Sequence, residues 1–200
     1  MAGTSDSWRG TALGVGYGRL YGQMGTPAGG GRHTLDASTN TPDSTANASA
    51  FHFGVTDKGS KFGIKVSYTD FYGDEFRGPL VTTVDKVEMN IAATLLAVTD
   101  MDVIKNILAG VGTYSTASGY KQVTIGALAI AYQSVVNIFP LVEDSTKVGV
   151  FALYSAINKA GVEWDQARVS RAGIPVDFMA YEVTTRATAD TLGNYWKQIA

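Results

Sequence analysis

The chain contains no cysteine, which excludes disulfides and thiolate metal sites and permits a reducing compartment without requiring one. It has 2 histidines, His33 and His52, and they do not stand in a metal-ligating spacing. Charge is sparse, with 17% Asp, Glu, Lys and Arg, a formal net charge of −2 and a pI near 5.6. That balance argues against a dedicated nucleic-acid binder, which carries a basic face, but not against a protein that DNA passes without sticking. Long apolar runs are missing too. The longest, Ala127 to Tyr132 with Ile125 just before it, is far too short to span a bilayer. The N-terminus M-A-G-T-S-D-S-W lacks a basic region followed by an apolar run, so no secretory signal is expected and the chain reads as soluble. Glycine, by contrast, is abundant at 23 residues. With many Thr, Val and Tyr it suits strands joined by tight turns. A chain of 200 residues reads as a single domain, long enough to bury roughly 70% of its unfolded surface without staples.

The clearest local signals lie end to end between Val87 and Gly110. In V-E-M-N-I-A-A-T-L, Val87, Met89 and Ile91 alternate with Glu88, Asn90 and Ala92, the period of a half-buried strand. The period then changes. Thr99 reads as an N-cap with Asp102 three residues on, and Asp100 and Asp102 put negative charge in the first turn. Met101, Ile104 and Leu108 follow at helical spacing, Val103 and Ile107 widen the apolar face, and Gly110 is a natural stop. One short helix over about 99–109 is expected, of about three turns. No second helix is comparably clear, so the expected fold is mainly β, a sandwich or barrel-like domain with one flanking helix.

Elsewhere, Thr11 to Tyr21 alternates Leu13, Val15, Tyr17 and Arg19 with glycines, a strand with one nearly bare face. Its glycine spacing is not that of a dinucleotide loop, and no helical pattern follows. Residues 22–50 hold almost no large apolar residue, so no core of their own is expected. So long a polar stretch is either a linker or an arm that orders against a neighbouring copy. Phe51, Phe53 and Val55, then Phe62, Ile64, Val66 and Tyr68, alternate around D-K-G-S and predict a hairpin. Val111 to Lys121 reads as a loop, Val123 to Phe139 leans towards strand, and Val148 to Ser155 is a strand. Val162 to Arg168 is a weaker strand. Arg171 to Val183 closes the sheet, with Pro175 marking an edge or the beginning of a paired segment. The tail from Thr184 is polar until Tyr195 and Trp196, which are placed to tuck against a partner.

Catalytic patterns are missing. There is no G-x-S-x-G elbow and no phosphate loop. Asp70, Asp74 and Glu75 match no calcium loop. Asp74 and Glu75 are adjacent and on a strand would point to opposite faces, whereas acid/base work needs both aimed at one substrate. Neither an enzyme nor a bound cofactor is expected. Self-association is the function class left, since sheet edges pair with other chains unless blunted, and copies meeting head to tail by rotation close a ring.

The order of features resembles the tail tube (major tail) proteins of long-tailed bacteriophages. Three stretches carry the likeness: V-E-M-N-I-A-A-T-L-L-A-V-T-D-M-D-V-I-K-N-I-L-A-G, the late strand A-G-I-P-V-D-F-M-A-Y-E-V, and the polar arm. It spans most of 51–183 and is a likeness of pattern, because the family has no short diagnostic motif. The chain departs from commoner members in placing its long arm so early. The resemblance implies a β-sandwich with a flanking helix whose copies form hexameric rings and stack into a hollow tube. Inner sheets join edge to edge into a barrel. Partners are then the chain itself and other tail proteins, while DNA transits the lumen without specific binding. No membrane is involved, and the setting is the virion, assembled in the host cytoplasm. Candidate lumen charges are Glu88, Asp177 and Glu182, although alternation fixes a face and not its direction. The inter-subunit arm would comprise Gly22, Thr26, Gly30, His33, Thr39 and Asn47. Two alternatives stay open, a monomeric β-sandwich that binds sugar or protein and a capsid decoration protein. The first would show clustered exposed aromatics, for which Tyr114 and Tyr120, or Tyr17 and Tyr21, are candidates.

Overall fold

Two strands near the middle of the chain are buried along nearly their whole length, Gln133–Pro140 (β7) and Val148–Asn158 (β8). The computed structural model describes residues 18–25, 27, 31–36, 38–72, 78–96, 100–108, 112–117, 119–126, 130–141, 144, 146–163, 173–187 and 190–199. Around β7 and β8 lie Arg19–Gly22 (β1), Phe51–His52 (β2), Thr56–Tyr72 (β3), Pro79–Leu95 (β4), Ile174–Ala180 (β9) and Gly193–Lys197 (β10). They form one antiparallel sheet in the order β2-β1-β7-β8-β9-β4-β3, with β10 also paired to β8. A separate hairpin joins Gly112–Ala117 (β5) to Tyr120–Ile125 (β6). The described residues hold one helix, Met101–Ile107 (α1). The fold is mainly β and sandwich-like, as the composition and periodicity predict.

The sheet curls on itself. β3 lies three places from β8 in the pairing order, roughly 14 Å away if the sheet were flat. Yet Phe62 of β3 stacks on Phe151 of β8 with ring centroids 4.6 Å apart. Inside the curl sit Leu20, Phe53, Ile91, Leu153, Ile174 and Phe178, all fully buried, and each such side chain contributes roughly 1.5–3 kcal/mol. Helix α1 closes this core with Val103, Ile104 and Ile107. Its polar side is tied down through Asn106. Gln133 Nε2 donates to the Asn106 carbonyl at 2.8 Å, and Gln23 Nε2 to its side-chain oxygen at 2.5 Å.

Several local expectations change. The helix is capped by Asp100, whose carboxylate accepts from the Asp102 N–H at 3.0 Å; Thr99 and Gly110 fall outside the described residues. D-K-G-S is not a hairpin turn. Lys58 and Gly59 take positive φ, at 62° and 82°, inside one 17-residue strand, and the pairing slips between Thr56 and Ser60. This is a bulge, and the hairpin is β3 with β4. The expected loop over 111–121 contains β5 and the start of β6, because Gly119, at φ 93°, makes a tight turn between them. The predicted strand over 123–139 is two strands, β6 ending at Ile125 and β7 beginning at Gln133. Pro175 stands where β9 begins to pair with β4, opposite Thr94. Residues 11–17, 73–77 and 164–172 lie outside the described residues, and with them most of the predicted first strand, Asp74, Glu75 and most of 162–168.

The tail is the largest surprise. Tyr195 and Trp196 do not await another molecule but belong to β10, which pairs with the half of β8 that β9 does not reach. Gly193 makes this pairing possible, since a Cβ there would lie 2.1 Å from the Ala152 carbonyl oxygen. Gly193→Ala should therefore cost about 1–3 kcal/mol through forced backbone displacement, read as a lower midpoint in chemical denaturation with an unchanged slope.

Candidate functional site

Strand β4 is longer than the sheet that supports it. It pairs with β9 only from Asn90 to Leu95, so Pro79–Met89 has β3 as its one neighbour among the described residues. The result is a two-stranded ribbon that runs roughly 33 Å beyond the last supported residue. Cross-strand side-chain hydrogen bonds hold it together: Thr82 Oγ1 donates to Asp70 at 2.6 Å and Thr69 donates to Asp85, while Lys86 pairs with Glu88 at 2.5 Å within β4. Its surface is apolar to an unusual degree, with Tyr68 61%, Tyr72 66% and Val84 58% exposed, and Phe71, Leu80 and Val81 similar. They lie on both faces of the ribbon, since Tyr68, opposite Val84, and Phe71, opposite Val81, are three residues apart on β3. No described strand pairs with the outer edge of β3 or with β4 before Asn90.

A groove of about 520 Å³ follows that free edge. Val84, Val87, Met179 and Leu192 line it, with Asp85, Lys86, Glu88 and Glu182 at its margins. Of the candidate lumen charges, Glu88 and Asp177 share one sheet face, since Glu88, Asn90 and Ala92 alternate and Ala92 lies opposite Asp177. Asn90 Nδ2 donates to Asp177 at 2.8 Å. Glu182 is not on that array, for β9 ends at Ala180. Nor is the face acidic. Lys61, Lys65 and Lys86 share it through the ladder pairs Lys61–Ala92, Lys65–Glu88 and Ser67–Lys86. A hydrogen bond from Lys86 and its charge, with Lys65 adding to them, hold the Glu88 carboxyl below its ordinary range.

The arm folds onto its own domain. Gly22 ends β1 against the Phe53 ring, which a Cβ would meet at 2.8 Å. Met24 and Leu35 pack on Val136, Ile138, Val150 and Ala152, the side of β7 and β8 turned away from the main core. Asn47 ties the segment internally, donating to the Thr34 carbonyl at 3.0 Å and accepting from the Gly25 N–H at 3.2 Å. Thr39 sits in a turn capped by Asp36. Thr26 and Gly30 lie outside the described residues. The C-terminal chain then clamps the arm. Arg186 Nη1 donates to the Pro27 carbonyl at 2.5 Å, Asn194 to Gly31 at 3.0 Å, and Gln198 to Asn40 at 3.2 Å. Arg186 itself is fixed by Asp190 at 2.6 Å and by stacking 3.9 Å over the Tyr154 ring. Burial, then a hydrogen bond to Asp190, pushes the Tyr154 phenol up to about 12. Sequence reasoning missed Arg186 because nothing local marks a residue whose partner lies 159 positions away.

Of the aromatic pairs weighed for a binding face, Tyr21 is buried and Tyr17 and the Tyr114 side chain lie outside the described residues, which leaves Tyr120 exposed. Among the described residues no group of His, Cys, Asp or Glu is placed to hold a metal, and no helix is long and apolar enough to cross a membrane. Compared with known proteins, the chain matches no family model and no curated sequence.

His33 is the most constrained arm residue. It is 3% exposed, neither ring nitrogen has a hydrogen-bond partner among the described residues, and burial, with the nearby Arg186 charge, lowers its pKa to about 4. The unfolded chain takes up a proton near pH 6.5, whereas the folded chain resists it until about 4. Stability from the neutral ring is thus complete above 6.5 and lost as pH falls towards 4, by up to about 3 kcal/mol. Amides of 31–50 should exchange with solvent markedly faster at pH 4.5 than at pH 7.5 after correction for intrinsic rates. His33→Leu should flatten that difference.

Proposed function

We propose that the chain is a self-assembling structural subunit, of the tail-tube kind that its sequence resembles. Its copies meet head to tail as hexameric rings and stack into a hollow tube for DNA. One observation carries the assembly: a long apolar ribbon whose two edges pair with no other strand among the described residues. An isolated two-stranded ribbon is marginal in water, and open apolar edges invite other chains.

Rotation supplies the geometry. In a ring of copies related by rotation, every β3 runs one way and every β4 the other. Placing β3 of one copy on the free edge of β4 of the next therefore makes each junction antiparallel, the arrangement already used within the subunit. Closing the ring removes both edges at once, and the groove beside Val84–Glu88 leaves room for the incoming strand. Lumen charge is the feature that this chain supports least. Three lysines share the face of Glu88 and Asp177, so the acidic lining rests on the resemblance alone.

Native mass measurement and negative-stain microscopy test assembly directly. Rings or tubes with a central hole are expected. Phe71→Glu/Val84→Glu, which alters two exposed ribbon residues, should give monomers whose stability stays within about 0.5 kcal/mol of the parent. A parent chain that remains monomeric at every concentration and salt, or a variant that assembles as well as the parent, would sink the proposal.

A further inference from the structure

A second cleft, of about 500 Å³, lies on the other side of Tyr181 and Glu182. Its walls come from three elements. Tyr132 stands just before β7, Ser155 lies in β8, and Tyr181 to Thr185 follow β9. The floor is held by backbone hydrogen bonds. The Tyr181 N–H donates to the Ser155 carbonyl at 2.7 Å, and the Val183 N–H to the Thr191 carbonyl at 3.0 Å. The two tyrosine rings meet edge to face at 5.3 Å and 66°, forming a corner that opens outward, with Tyr132 54% exposed. The Lys159 ammonium lies 5.3 Å from the Tyr181 ring centre. Around this corner stand the hydroxyls of Ser155, Thr184 and Thr185 and the carboxylate of Glu182.

We propose that this cleft binds a saccharide, with a pyranose C–H face on the exposed Tyr132 ring and its hydroxyls on Glu182, Thr184 and Thr185. The chemistry selects that class. Sugar C–H groups are weakly electropositive and suit the negative face of an aromatic ring, while the opposite side of a pyranose needs several donors and acceptors. The volume falls within the range of small-ligand sites, in which aromatic walls carry a few convergent polar groups. A lipid would leave the hydroxyls and the carboxylate unmatched. A phosphate-bearing ligand would face Glu182 with one lysine to offset it. Tyr181 and Glu182 also line the ribbon groove, whereas Tyr132, Ser155, Thr184 and Thr185 do not, so Tyr132→Ala tests the site apart from the assembly proposal.

Saturation-transfer NMR on the full-length chain tests it and tolerates both monomers and large assemblies. The probes are glucose, galactose, mannose and N-acetylglucosamine at millimolar concentration, and maltose and lactose. At least one is expected to show saturable transfer, strongest at its ring C–H protons. Tyr132→Ala, a change at an exposed side chain, should weaken that binding about tenfold, near the upper end of one aromatic contact. Glu182→Gln should weaken it several-fold, and Tyr195→Ala, on a distant strand, should leave it unchanged. No saturable transfer from any of the six sugars, or binding that survives Tyr132→Ala intact, would overturn the assignment.

Discussion

Everything in this fold depends on burying both faces of β7 and β8. Successive side chains of a strand point to opposite sides, so a strand buried without interruption demands a layer on each. One layer is the curled β9–β4–β3 wing with helix α1. The other cannot come from the sheet, which has already turned away. The chain supplies it from its least promising material, the polar segment 22–50, helped by the Trp196 side chain of β10. Met24, Leu35, Ala50 and Trp196 are the apolar contacts that cover Val136, Ile138 and Val150. They are few, so ordering the segment relies on polar ties: Asx-type turns at Asp36 and Asp43, the Asn47 cross-link, and the Arg186 clamp. Each tie is worth about 1 kcal/mol net. They act together because the turns hold the carbonyls of Pro27 and Gly31 where Arg186 and Asn194 can reach them.

What was legible in the sequence follows from this arrangement. Val87 to Leu95 showed its period of two because one face of β4 meets the core while the other carries Glu88 and Asn90. The helix was legible from Met101, Ile104 and Leu108, with its cap displaced by one residue, because Thr99 and Asp100 both suit that role. Val148 to Ser155 was legible as a strand but not as a doubly buried one, since a continuous apolar run does not say what covers it. β10 was invisible: Gly193 and Asn194 are poor strand formers, and its register is set by space beside β8. The bulge at Lys58 and Gly59 mimicked a turn for the same kind of reason. Local chemistry reported positive φ correctly, while the long-range ladder decided that the strand continues.

The candidate site divides in a similar way. Alternation put Glu88 and Asp177 each on the polar face of its own strand, and the register of β4 with β9 makes those one face. It could not show that Lys61, Lys65 and Lys86 share that face, because cross-strand neighbours depend on the register between β3 and β4. The arm residues His33 and Asn47 were singled out from composition alone, and their burial depends on contacts with residues 186–198. The Tyr132 and Tyr181 corner is the extreme case, assembled from residues 49 positions apart on segments that neither period marks as unusual.

The ribbon, which carries the proposed assembly, also has features that oppose pairing at random. Free edges with exposed Phe71, Leu80 and Val81 are an aggregation hazard. Three register irregularities, near Thr56, Ser67 and Phe71, interrupt the ladder, and a bulge adds local twist that an unrelated flat strand does not match. Lys58, Lys61 and Lys65 add charge along β3, which penalises partners lacking a complement. In the proposed ring an identical copy would bring the same twist, and its Asp85 lies along the groove that β3 would approach. Under the proposed assembly, features that make the ribbon a poor template for arbitrary chains would penalise an identical copy least. Specificity would then lie in the register of the ribbon rather than in the amount of apolar surface it exposes.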